Sequence, residues 1–147
     1  MSGRLVVSLF VTSFALNAVW EMGHMPAYAE MAGRPWRATL LGCGRASLVD
    51  AALTLAIWAL ALRIVRSRAG LELRLAVVMA LTGALVAVLL ETAALELRWW
   101  SYTSRMPRLP LVGAGLWPVL QLAILPPLSL LLASLVRPSS WPSRAGA

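Results

Sequence analysis

The sequence predicts an all-α integral membrane protein, a four-helix bundle running antiparallel, up-down-up-down. Three observations predict it. Apolar residues make up 60% of the 147-residue chain and charged residues 13%, about half the charged share of an ordinary soluble domain. The apolar residues gather in four runs, about 5–24, 46–65, 73–97 and 111–136, each near the roughly 20 residues that a helix needs to cross lipid. The links between them carry Pro, Gly, Arg and Trp, residues of turns and of membrane interfaces.

The first run starts at Leu5 and is uncharged as far as Trp20. It must continue through Glu21 towards His24 to cross the bilayer core, and Pro26 stops it. A cleaved leader ending at Ala27-Tyr28-Ala29 is the rival reading. The polar stretch before that site, with Glu21 and His24, argues against it. Residues 26–45 read as a loop, punctuated by Pro26, Gly33, Pro35, Gly42 and Gly44. The second run begins near Ala46, which puts Asp50 one turn inside it, where it would cap the helix or pair with Arg45. The Arg-rich link at 63–74 is short, so the second and third helices are antiparallel neighbours. In the third run Ala80, Ala84, Ala87, Glu91 and Ala94 recur at three and four, a small-residue stripe carrying one carboxylate. Arg98-Trp99-Trp100-Ser101-Tyr102 forms an aromatic belt. The fourth run holds Pro118, Pro126 and Pro127, with a bend expected at the last pair. The bundle is one domain, 1–137, and the Pro- and Ser-rich segment 138–147 is expected to be disordered.

The net charge is +7, and all thirteen basic residues are Arg. They lie between or beside the apolar runs, where lipid phosphates sit, so no nucleic-acid partner is expected. With the Arg-dense second link inside, both termini face the cytoplasm, and the bacterial inner membrane is the expected location. Cys43 stands alone, which removes an internal disulfide and a Cys-based zinc site.

Polar residues inside the runs point to the function. Glu21 ends the first run, Asp50 begins the second, Glu91 lies late in the third and Gln121 early in the fourth. Because the helices alternate in direction, all four fall in one leaflet, and the other leaflet has nothing comparable. Ser13, Asn17, Glu21 and His24 share one helical face, and Cys43, Ser47, Asp50 and Thr54 share another. Lipid cannot solvate such stripes, so they face the bundle interior.

A carboxylic acid kept neutral by an apolar pocket can donate a proton near neutrality. The expected function is therefore binding of, or acid/base chemistry on, a lipid-like or isoprenoid small molecule. Glu21, Glu91, His24 and Asp50 are the catalytic candidates, with Glu91 the acid expected to be protonated. Asn17, Trp20, Trp117, Gln121, Arg98 and Tyr102 are the substrate-binding candidates. Trp20-Glu21 resembles, over two residues only, the Trp-Glu pair at a helix end in some membrane terpene cyclases, which use acids in this way. Glu21-x-x-His24 has the spacing of four-helix di-iron proteins, but the second histidine is missing. No cofactor is expected. A single divalent metal on Glu21, His24, Asp50 and Glu91 is an alternative. A non-catalytic accessory subunit is another, since the Ala80/Ala84/Ala87 face suits a homo- or hetero-oligomer contact. Membrane lipid is a partner in every reading.

Overall fold

The computed structural model describes residues 3–66 and 72–135, so the segment expected to be a disordered tail lies outside the described residues. Four helices are present: α1 (Gly3–His24), α2 (Trp36–Val65), α3 (Leu73–Glu96) and α4 (Leu116–Leu135). All four are long and apolar enough to cross a membrane. Each packs on its neighbours in chain order, α1 on α2, α2 on α3 and α3 on α4, and α4 closes the ring against α1.

The half of the bundle that holds the start of α1 and the end of α2 is a dry core. Leu5, Leu9, Ile57, Trp58, Leu75, Met79 and Leu130 fill it. The other half differs. There the first and third loops form a cap. Ala29 N–H donates to the Ser101 carbonyl at 3.0 Å and Thr103 N–H to the Ala27 carbonyl at 2.9 Å. The Glu30 carboxylate accepts from both Ser101 N–H and Ser101 Oγ at 2.8 Å. These two loops therefore lie on one face of the bundle, as alternation of helix direction requires.

Two boundaries depart from expectation. α2 begins at Trp36 rather than Ala46, straight after Pro35. Gly42 and Gly44 are helical. Gly44 has nothing near its missing side chain, and Gly42 has only the Met31 Cε at 3.5 Å. Only Pro35, which donates no N–H, ends the loop here. Asp50 consequently sits in the middle of a 30-residue helix, and the capping reading fails. At 1.5 Å per residue Asp50 lies roughly 21 Å from the start of α2, whereas Glu21 lies one turn from the end of α1. α2 thus overhangs its neighbours and walls the space under the cap. α4, expected from about 111, begins at Leu116, because Arg108 and Gly115 pair across a turn.

α3 and α4 meet at Gly83. A β-carbon there would overlap the Leu122 carbonyl. Pro126 has no N–H, so that carbonyl lacks its usual partner four residues on, and the bare backbone of Gly83 occupies the space beside it. The buried stripe of α3 is Leu75, Met79, Gly83, Ala87, Glu91 and Ala94. The expected stripe is right from Ala87 onward and shifts by one residue before it. Ala87 is buried against Val119 and Leu122, with Ala84 packed on the same cluster, so this part of the stripe is already occupied within the bundle.

Candidate functional site

A chain of hydrogen bonds leads from the middle of the bundle to the space under the cap. Ser13 Oγ donates to Thr54 Oγ1 at 2.9 Å. Asn17 Nδ2 donates to the Ser13 carbonyl at 2.8 Å and to Ser13 Oγ at 3.1 Å. Gln121 Nε2 lies 2.8 Å from Asn17 Oδ1, 3.0 Å from Glu21 Oε1 and 2.9 Å from Asp50 Oδ2. An amide nitrogen has two hydrogens for these three acceptors. The Glu21 and Asp50 carboxylates therefore converge on one side-chain nitrogen.

This cluster forms part of the wall of a cavity of about 500 Å³. Glu21, Glu30, Asp50 and Glu91 all line it, four of the six acids in the chain. The remaining wall is largely apolar, from Met25, Met31, Leu53, Pro118 and Leu122, with Tyr28, Trp99 and Trp100 under the cap. Val49 on α2 and Leu90 on α3 also line it, yet are 58% and 44% exposed. The cavity therefore reaches the outer surface between α2 and α3, at the end away from the short link that joins them.

Glu91 is buried at 5% exposure. The Trp100 indole and the Gly115 amide are among the groups that act on its carboxyl, and its Oε2 has no hydrogen-bond partner. The chain reaches this position through a helix ending. Trp99 N–H bonds the Ala94 carbonyl at 2.9 Å and Arg98 N–H the Leu95 carbonyl at 3.2 Å, with Arg98 at φ 57°. That is a Schellman turn with Arg in the place usually held by Gly. It sends Trp99 and Trp100 over the cavity.

The structure brings together Glu21, Asp50, Glu91 and Gln121 on the cavity, with Asn17 directly behind Gln121. The other expected residues do not line it. His24 Nδ1 is held by the Trp20 carbonyl at 2.8 Å, and its ring rests on Tyr28. Trp20 has its indole N–H buried without a partner. Arg98 is an exposed turn residue, and Trp117 is 37% exposed. The Tyr102 hydroxyl accepts from Gly115 N–H at 3.0 Å, with the Arg108 guanidinium 5.4 Å from its ring centre; Tyr102 props the cap. Among the described residues, no group of three or more His, Cys, Asp or Glu is placed to hold a metal ion. The histidine that the metal reading needs does not line the cavity that the carboxylates share.

Tyr28, Glu30, Arg34, Cys43, Trp99 and Trp100 line the cavity without having been singled out as candidates. A sequence signal existed for the tryptophans, in the belt, and for Cys43, on the polar stripe of the second run. Glu30 and Arg34 are there because the cap folds the first loop back.

Tyr28 lies just outside the membrane-spanning segments. Burial pushes its phenol well above the ordinary value, and the carboxylates of Glu91, Glu21, Asp50 and Glu30 push the same way. The folded protein thus favours the neutral phenol. The stability this contributes is complete below the unfolded value of about 10 and is lost as pH rises beyond it. In a Tyr102→Phe protein, where Tyr28 is the only tyrosine left, tyrosinate absorbance should be absent near pH ~10 and appear only with alkaline unfolding. Ionisation near that pH with full helix content would mean that the phenol is open to water.

No protein-family model, curated protein or solved structure matches this chain. Fold and helix composition define its class, an integral membrane protein built as a four-helix bundle.

Proposed function

We propose that the cavity binds a lipid-like or isoprenoid small molecule that arrives from the bilayer, and that the Glu21–Asp50–Gln121 cluster performs acid/base chemistry on it. The observation that carries this reading is the cavity itself. It is apolar over most of its wall, holds four acids, and reaches the outer surface between Val49 and Leu90. Its volume of about 500 Å³ lies within the range of small-molecule sites. In this reading Glu21 and Asp50, held by one amide, pass a proton to the bound molecule and take it back without moving a helix. Glu91 faces the same space. The Arg-dense link between α2 and α3 supports placing both termini in the cytoplasm of a bacterial cell, with the cavity towards the outer leaflet of the inner membrane.

The test is purification in a mild neutral detergent, followed by mass spectrometry of the organic extract. The native protein should carry an isoprenoid or lipid species near stoichiometry, enriched over the bulk membrane. Ala46→Phe, which pushes a ring into the cavity, should lose it. If nothing is enriched and a protein partner copurifies tightly, the accessory-subunit reading replaces this one. Stoichiometric metal without an organic ligand would favour the metal reading.

A further inference from the structure

The cavity wall has unmet hydrogen-bonding demand of one predominant sign. Glu21 and Asp50 are engaged by Gln121, and Glu30 Oε1 is engaged by Ser101. Glu30 Oε2 and Glu91 Oε2 are buried and have no partner. Glu91 is more than nine-tenths buried and lines the cavity. A buried carboxylate oxygen without a donor is costly, and folded proteins rarely leave one so. Both atoms ask for hydrogens. The cation among the lining residues is Arg34, an exposed residue of the first loop, set against four acids. Tyr28, Trp99 and Trp100 line the same end, and aromatic rings attract cations through their faces.

We propose, resting on the ligand-binding reading above, that the molecule bound here is a long-chain amine. Its protonated head donates to Glu91 Oε2, with Glu30 as the second carboxylate beside it and the aromatic rings around it, and its tail leaves past Val49 and Leu90 into lipid. A fatty acid would bring a further negative charge among four acids. A plain alcohol would supply a hydrogen but no charge.

The test compares dodecylamine, dodecanol and dodecanoate, three heads on one chain length, added at equal mole fraction to the protein in maltoside micelles at neutral pH. Tryptophan fluorescence reports binding, since Trp99 and Trp100 line the cavity. Dodecylamine should bind at least about tenfold more tightly than dodecanol, and dodecanoate should not bind. Glu91→Gln, which keeps the side chain's shape, should erase most of the amine preference. Arg34→Gln, at an exposed loop position, should strengthen amine binding. Equal or tighter binding of dodecanol or dodecanoate overturns the amine assignment and leaves the ligand-binding reading standing. An amine preference that survives Glu91→Gln unchanged also overturns it. If no probe binds and the organic extract of the native protein is also empty, both readings fall.

Discussion

Gly83→Ala should destabilise the bundle by about 1–3 kcal/mol, the usual cost of forcing atoms into a packed interface. The added methyl would overlap backbone, the carbonyl of Leu122, rather than a side chain that can turn away. α3 and α4 would have to separate, and with them Glu91 and Gln121, which both line the cavity. Gly44→Ala is the internal control. A methyl there meets nothing, and Ala is the better helix former, so this change should stabilise by up to about 1 kcal/mol. Thermal unfolding in detergent, followed by helix circular dichroism, reads both. Equal shifts of the same sign in the two variants would mean that α3 and α4 are not in backbone contact at Gly83.

Gln121→Leu should cost about 2–3 kcal/mol, because it removes the donor common to three acceptors. Asn17 Oδ1, Glu21 Oε1 and Asp50 Oδ2 would all lose it, and Asn17 is fully buried. The apolar replacement cannot donate. Gln121→Leu combined with Asp50→Asn should be more stable than Gln121→Leu alone. The asparagine removes one buried acid and supplies an N–H to Glu21. That recovery is an interaction between neighbours and appears as non-additivity in the double-mutant cycle. Strictly additive effects would mean that Gln121 and Asp50 do not share the site.

Much of this arrangement was legible along the chain. Hydropathy marked four spans, and the spacing of Ser13, Asn17 and Glu21 marked the inward face of α1. Glu21, Asp50, Glu91 and Gln121 fell in one leaflet from helix direction alone, because a bundle of alternating helices leaves little freedom in depth. The start of α2 was not legible. Gly42 and Gly44 carry the composition of a loop, and a glycine is a poor helix former only where no neighbouring structure or lipid forces the backbone to satisfy itself.

What the sequence determined by itself is the class: a membrane-spanning helical protein whose acids within the spans lie in one half of its thickness. Lipid cannot hydrogen-bond, so any sequence with these four runs must fold them as helices and turn its polar stripes inward. What only the tertiary structure decided is which of those groups meet, and in what company. Gln121 holds both Glu21 and Asp50 because α4 closes the ring against α1. His24 is absent from the cavity because its ring turns back to the Trp20 carbonyl. Glu30, Arg34 and the tryptophans join the cavity because two loops far apart in sequence pair over it. Helical periodicity sets a side chain's direction within its own helix, but loop pairing and the α3–α4 approach at Gly83 depend on contacts between distant residues, which no local pattern encodes.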